Sequence, residues 1–447
     1  MAERIQTTGP AGPLFRAVIA PLQAFFRFEA AGGVLLLVTT LVALAWANSP
    51  WKDAYHHLFS LPFEVTVGGV AVHFSFEALI NDGLMTIFFF VVGMEIKREL
   101  LIGELRSYQR ALLPAVAALG GMIAPAVIYA AINWGTPELR GWAIPMATDI
   151  AFSLGVLTVL KKHVPWSLIV FLTALAIFDD MGGIAVIALF YGTGIHWPWL
   201  AVAALFTLTV AAVGRGLIVR NGLAWGVVGV ALWYTVHRAG IHPTIAGVLL
   251  GLLIPARSAP SGREILASLS DYLQQLLARP TEEEISQAEV LEIEERLEDL
   301  EPPLNRFVHL LHPYVAFGIV PLFALTNAGV DLSGVSLHAL ARPVPLGIAL
   351  GLFLGKQLGI FGFTVLALRT RLSPMPTGGR AYEVWGVSAV GGIGFTVALF
   401  VATLAFRDAP QTLAEAKLGI LVGSAASALF GFLLLWRGGK ALATARN

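Results

Sequence analysis

The chain contains no cysteine. That excludes disulfides, thiolate metal sites and thiol catalysis, and leaves the compartment open. Charge is scarce as well: only 13% of the 447 residues are Asp, Glu, Lys or Arg, against about 25% in ordinary soluble domains. Neither sign dominates, since 29 basic residues balance 29 acidic ones, so nothing in the composition calls for a nucleic-acid partner. No spacing matches a zinc site or a phosphate-binding loop. What the chain has instead is apolar length: 57% of its residues are hydrophobic. Residues 1–447 read as one integral, all-α, polytopic membrane unit.

A spanning helix needs about 20 mostly apolar residues. On that measure the sequence predicts twelve, over 30–48, 79–99, 110–134, 142–160, 166–191, 199–216, 222–237, 241–255, 309–330, 343–368, 384–406 and 414–437. The first is followed by Ser49-Pro-Trp-Lys with no small-residue cleavage site, and reads as a retained span, not a removed signal. With the N-terminus inside, 22 of the 29 Lys and Arg fall on the cytoplasmic side, six outside (Lys52, Arg140, Arg238, Arg342, Arg407 and Lys417), and Lys356 within a helix. The positive-inside rule expects such an asymmetry.

Two extramembrane segments stand out. Residues 62–77 alternate at period two, with Val65, Val67, Val70 and Val72 around Gly68-Gly69, and read as an external β-hairpin. An isolated hairpin is marginal in water. It pairs with a second copy across a dimer axis or packs on its own helix tops. The other segment, 257–305, is an acidic cytoplasmic insert between the eighth and ninth helices. From Thr281 to Glu301 it carries ten acidic residues and one Arg, with a thin leucine stripe that predicts a surface helix. It is a solvated linker or a cation-attracting, regulatory antenna.

Within the predicted spans the ionisable residues are few: Asp149, Asp179, Asp180 and Lys356, with Asp82 and Glu95 nearer the ends of the second helix. Asp179 and Asp180 sit halfway along the fifth, where a carboxylate is costly and marks an ion or proton pathway. Adjacent residues do not share one helical face closely, yet the two charges repel when both are ionised. One then tends to keep a proton unless a cation joins them. That is the electrostatic requirement for a site where H+ and a metal cation compete. Lys356 needs a carboxylate at matching depth, which Asp179 or Asp180 can supply. A fixed structural pair needs only one aspartate, and here there are two.

Thr148 and Asp149 lie in Pro145-Met-Ala-Thr-Asp-Ile. Pro145 removes a backbone donor, and the Thr and Asp side chains can bond freed backbone groups. This predicts a helix interrupted at mid-membrane. Val390-Gly-Gly-Ile-Gly-Phe-Thr is a matching weak point in the eleventh helix. Broken helices at corresponding places in two halves point to a secondary-transporter site, whereas glycines alone can simply allow close helix packing. Asp149 could offset the positive N-terminal ends of the half-helices, and Lys356 the negative C-terminal ends. Thr173, two turns before Asp180 on the same face, can offer a hydroxyl to a cation or bond its own backbone. His242, His309 and His312 stand at helix ends, as caps or as pH sensors.

Together, Ile80-Asn-Asp-Gly-Leu-Met, Ala147-Thr-Asp-Ile-Ala-Phe, Ala174-Leu-Ala-Ile-Phe-Asp-Asp-Met-Gly, Pro321-Leu-Phe-Ala-Leu-Thr-Asn-Ala-Gly, Gly355-Lys-Gln-Leu-Gly and Gly392-Ile-Gly-Phe-Thr resemble the NhaA family of bacterial sodium/proton antiporters. The resemblance runs in order along nearly the whole chain, outside the acidic insert. It implies twelve helices with inverted repeats, the third to fifth and the tenth to twelfth, and interrupted fourth and eleventh helices crossing at mid-membrane. It implies electrogenic exchange of Na+ or Li+ for more than one H+, active at alkaline pH, in the bacterial inner membrane, with both termini cytoplasmic and no cofactor. Carried over, Asp180 is the main cation and proton carboxylate. Asp179 completes the site and pairs with Lys356, and Thr148 and Asp149 line the crossing. The hairpin implies a homodimer. Glu95 and the His309 region imply a cytoplasmic pH-responsive surface. The chain departs from the family pattern at Gln357, where proline is expected after the lysine, and at Gly183, where alanine is expected after Gly182.

The rivals are a proton-coupled carrier of another solute and a K+/H+ antiporter. An organic solute calls for a larger polar cavity than these helices offer. An intramembrane aspartyl protease also uses two buried aspartates, but its Gly-x-Gly-Asp motif is absent and it has no use for Lys356. A bound occupant suits adjacent acids and a lysine better than an open pore does.

Overall fold

A computed structural model of the chain describes residues 31–445, except 68–69, 162, 193, 218–221, 257–261, 279–284, 299, 332–336 and 377–379. Residue 30, the Gly68-Gly69 turn, 281–284 of the acidic run, and basic residues such as Arg4, Arg16, Lys162 and Arg220 therefore lie outside the described residues.

The described chain is almost entirely helical. Helix α1 (Ala31–Ala47) turns through 113° into α2 (Lys52–Ser60), too short and polar to be expected as a span. Strands β1 (Pro62–Val67) and β2 (Val70–Ser75) pair antiparallel, with Val65 opposite Val72 and Val67 opposite Val70. Ser75 then caps α3 (Phe76–Leu101) by accepting the Ala78 N–H at 3.1 Å. Next come α4 (Tyr108–Ile132), a 3-10 helix (Pro137–Met146), α5 (Ile150–Val159) and α6 (Trp166–Phe190). Helices α7 (Trp197–Leu217), α8 (Gly222–Arg238) and α9 (Thr244–Leu253) are shorter. The insert forms two helices, α10 (Gly262–Leu277) and α11 (Gln287–Glu298), and the first of these was not foreseen. Arg296 of α11 holds the two together, donating to the Ser268 hydroxyl at 2.7 Å with its guanidinium over the Tyr272 ring.

Helix α12 (Pro303–Asn327) begins before the expected residue 309 because Pro303 occupies the first turn, where its missing N–H costs nothing. It passes Pro313 through a wide turn at Val315–Ile319, a usual way to absorb a proline. The chain ends with α13 (Pro343–Arg369), α14 (Ala381–Val390), α15 (Phe395–Ala405) and α16 (Pro410–Ala445).

Among the described residues, seven helices are long and apolar enough to cross a membrane, and up to nine if each bent pair counts as one span. Large apolar side chains such as Leu41, Val127, Leu189 and Leu358 are exposed on them. Helices apolar all round belong in lipid, so this is an all-α, multi-pass membrane protein. Close packing comes from glycine. Helices α3 and α9 run parallel: His242 sits beside Asp82 at one end, and Lys97 donates to the Leu252 carbonyl at the other. A Cβ on Gly93 of α3 would lie 2.6 Å from the Val248 oxygen, so only a residue without one permits this approach.

Candidate functional site

The site is built on two breaks that satisfy each other. The 3-10 helix stops at Met146, Ala147 is extended, and Asp149 starts α5 as its N-cap, Oδ1 accepting the Phe152 N–H at 3.0 Å. Helix α14 stops at Val390 and α15 resumes at Phe395 with a 45° bend. Breaks in hydrocarbon leave backbone groups that must find partners within the protein. Here the Asp149 N–H donates to the Ile393 carbonyl at 2.6 Å, and the Ser153 hydroxyl donates to the Val390 carbonyl at 3.1 Å. Asp149 Oδ2 accepts both the Thr396 N–H, at 3.0 Å, and its hydroxyl, at 2.5 Å. One buried carboxylate thus serves the N-terminal ends of α5 and α15 together. A Cβ on Gly394 would stand 2.8 Å from the Ala147 oxygen, which is why the second break carries glycine there.

Lys356 reaches this crossing from α13, just past a wide turn at Gly351–Gly355. It forms an ion pair with Asp179 Oδ2 of α6 and donates to the Thr148 hydroxyl at 2.9 Å. Thr148 Oγ1 lies 2.5 Å from the same Asp179 oxygen and 2.9 Å from the Gly391 carbonyl. A hydroxyl has one proton to give, and the shorter contact assigns it to the carboxylate. Lysine, threonine and aspartate are thereby locked at the crossing. No described contact ties Lys356 to a half-helix carbonyl directly.

The two aspartates differ sharply. Asp179 Oδ2 is fully engaged, whereas its Oδ1 is buried without a hydrogen-bond partner. Asp180 is half-buried and accepts no hydrogen bond from a described residue; its electrostatic neighbours are Asp179, Glu95, Asp149 and Lys356. Both acids line one narrow cavity whose other walls are apolar, among them Phe89, Met146, Ile187 and Val401. Its free volume for the centre of a water-sized sphere is about 20 Å³, room for roughly one such occupant. That space suits a single small ion held by carboxylate oxygens.

Thr173 stands apart, its hydroxyl donating to the Ile169 carbonyl of its own helix at 3.0 Å. The titratable candidates divide between the two ends of α3. Glu95 neighbours Arg98 and Glu99, Arg98 and His309 neighbour His312, and His309 Nε2 lies 3.6 Å from Glu301 of the insert. His242 is not with them but beside Asp82. Val65, Val67, Val70 and Val72 lie in the hairpin strands that precede α3. Of the two departures, Gln357 bonds the Phe353 carbonyl and accepts from Trp385 Nε1 at 2.9 Å, tying α13 to α14, and Gly183 borders the cavity.

Sequence reasoning passed over Thr396, Ser153 and the Gly391 carbonyl. Thr396 carried a usable signal: a hydroxyl at the start of a half-helix, directly after the glycine-rich break, is placed to bond the acid capping the opposing one.

Comparison with known proteins agrees with this architecture. Residues 23–435 match the family described as Na+/H+ antiporter 1. The chain is 57% identical over 426 residues to Na(+)/H(+) antiporter NhaA 1 of Myxococcus xanthus, covering 95% of each chain. It is 56% identical to Na(+)/H(+) antiporter NhaA of an Anaeromyxobacter species, covering 95% of this chain and 93% of that one. With that of Rhodospirillum rubrum the identity is 44%, over 93% and 97%. Adjacent membrane-buried acids, a lysine held to one of them, and two interrupted helices joined at their breaks thus occur in a chain that belongs to the NhaA family of Na+/H+ antiporters.

Proposed function

We propose that this Na+/H+ antiporter exchanges its ions at Asp179 and Asp180, with Lys356 as a competing occupant. The observation that carries this reading is the asymmetry of Asp179: one oxygen is held by Lys356 and Thr148, and the other is buried and unpartnered beside Asp180. In the proton-loaded state Asp179 holds Lys356 and Asp180 holds a proton. Arriving Na+ or Li+ takes the free Asp179 oxygen and the Asp180 carboxylate. Displacement of the lysine and its proton then couples the two fluxes, so that more than one H+ moves per cation. Asp149 and Thr148 keep the half-helix ends in register while one bundle rocks against the other. Thr173 stays outside the cation shell, its hydroxyl committed to its own helix.

The finer architecture follows the same reading. The chain crosses the bacterial inner membrane twelve times as one unit, with both termini cytoplasmic, a reading supported by the asymmetric distribution of Lys and Arg. Helices α4 to α6 and α13 to α16 are inverted repeats. The hairpin, 62–77, joins two protomers on the outer face. Insert 257–305 lies in the cytoplasm, beside the surface of Glu95, His309 and His312 through which alkaline pH activates exchange. No cofactor takes part. An organic solute is disfavoured because the apolar cavity has room for one small occupant. K+ is disfavoured because a larger ion suits that space less well.

The test is ΔpH in proteoliposomes, reported by a dye, on addition of Na+, Li+ or K+ to the native protein and to Asp180→Asn. Collapse by Na+ and Li+, lost in the variant, supports the reading. Exchange by Asp180→Asn overturns it.

A further inference from the structure

The direction of Lys356 is set by the wide turn that precedes it. In a regular helix its N–H would meet the Leu352 carbonyl, four residues back. Here it donates to the Gly351 carbonyl, five back. The turn therefore holds one residue more than an α-helical turn, and one residue is about 100° of rotation. Relaxed to regular geometry, the turn would swing Lys356 by that angle, away from Asp179 and Thr148. A bypassed carbonyl in a buried helix needs another donor, and two buried side chains serve the turn. The Ser427 hydroxyl of α16 donates to the Leu352 carbonyl at 3.3 Å. Gln357 Nε2 donates to the Phe353 carbonyl at 2.7 Å, and its Oε1 accepts the Trp385 indole N–H of α14 at 2.9 Å. The turn is also wedged between the two breaks. A Cβ on Gly351 would lie 2.6 Å from the Pro145 side chain, just before the first break. A Cβ on Gly392, in the second, would lie 2.6 Å from the Ser427 hydroxyl oxygen and would press on the Leu352 oxygen as well.

We propose that Ser427 and Gln357 are positioning residues for Lys356: by holding the Leu352 and Phe353 carbonyls they keep the wide turn, and the turn keeps the lysine on Asp179. The inference rests on the reading of Lys356 as a competing occupant of the cation site. No described hydrogen bond joins either side chain to Lys356 or Asp179, so both act through the backbone of α13. Gln357 also acts through α14, which ends at the Gly391 carbonyl beside Thr148. Lys356 and Thr148, the two groups on Asp179 Oδ2, are thus placed by one assembly of turn, break and α16. With the turn loosened, the lysine binds Asp179 more weakly and gives way to Na+ at a lower concentration.

The test is a stability cycle on the full chain in detergent, with Na+ titrations of ΔpH collapse in proteoliposomes beside it. The fall in melting temperature caused by Lys356→Met is measured in the native chain and in chains that carry Ser427→Ala or Gln357→Leu. Asp179→Asn serves in its place if Lys356→Met does not fold. A lysine already turned from its partner leaves less to lose, so each background should cut that fall by roughly half, as for residues that share one interaction. At one fixed pH, the half-maximal Na+ concentration should drop roughly two- to tenfold in Ser427→Ala and in Gln357→Leu, the equilibrium weight of one hydrogen bond. A merely structural role lowers every melting temperature alike: an undiminished effect of Lys356→Met in both backgrounds overturns the proposal. A diminished effect with unchanged Na+ dependence supports the positioning role and removes the lysine from competition with Na+, so the two readings fail separately.

Discussion

Lys356 of α13 and Asp179 of α6 form an ion pair that is closed to solvent on both sides. A buried pair gives little net stability, but removal of one partner leaves a charge that neither water nor protein compensates. Lys356→Met should therefore destabilise the protein by about 3–5 kcal/mol. Adding Asp179→Asn to it should recover more than half of that loss, since the orphaned charge is gone. Thermal unfolding in detergent checks both, and equal midpoints for the single and double variants would contradict the pairing.

Asp180 behaves differently because it makes no hydrogen bond to a described residue and faces its neighbour's like charge. Asp180→Asn removes that repulsion without breaking a contact. Its stability should match the native protein to within about 0.5 kcal/mol, as for substitutions that disturb no packing, while Na+ and Li+ exchange is lost. A large fall in melting temperature would assign Asp180 a structural role that its surroundings do not suggest.

The charged logic of this site was legible in the sequence because burial of charge is so costly that each ionisable residue in an apolar run demands a reason. That argument selected Asp149, Asp179, Asp180 and Lys356 together. Pro145 and the Gly391–Gly394 stretch likewise marked both breaks, since each disturbs the backbone locally. Partner choice was less legible. Nothing in one dimension says that Thr396, remote in sequence, lends its N–H and hydroxyl to Asp149, and the cost of buried charge alone left open which aspartate Lys356 takes; the family resemblance supplied Asp179, where the pair is found. Helix α2 was missed because a short amphipathic helix at a bend carries no spanning signal, and α10 because a search for long apolar runs passes over an amphipathic helix, although Ile265, Leu269, Tyr272 and Leu276 recur at helical spacing. His242 was grouped with His309 and His312 as a helix-end histidine. Its place beside Asp82, at the opposite end of α3, follows from the parallel packing of α3 and α9, which no local pattern reveals.

The Asp149–Thr396 contact should be energetically coupled. Asp149→Asn replaces one acceptor oxygen with a donor and cannot serve all three of its partners, a loss of about 1–3 kcal/mol. Thr396→Val removes only the hydroxyl. In the double variant the two losses should fall short of additivity by about 0.5–3 kcal/mol, as for residues in one hydrogen-bond network. Strict additivity in thermal or chemical unfolding would mean that the two breaks are held together elsewhere.

If Na+ displaces protons from the Asp179–Asp180 site, its apparent affinity must depend on pH through mass action. A carboxylate binds the cation only when deprotonated, so each competing proton lowers affinity as pH falls. Below the titration of the site, the Na+ concentration giving half-maximal exchange should rise roughly tenfold per pH unit for each proton displaced, an effect separate from any fall in the maximal rate at saturating Na+. Na+ titrations of ΔpH collapse at a series of pH values measure both quantities. A falling maximal rate at constant apparent affinity would be the signature of a different device: protonation at the Glu95, His309 and His312 surface that switches the protein off without touching the cation site. Glu301→Gln, which removes the carboxylate beside His309, should shift the second kind of profile and leave the first unchanged.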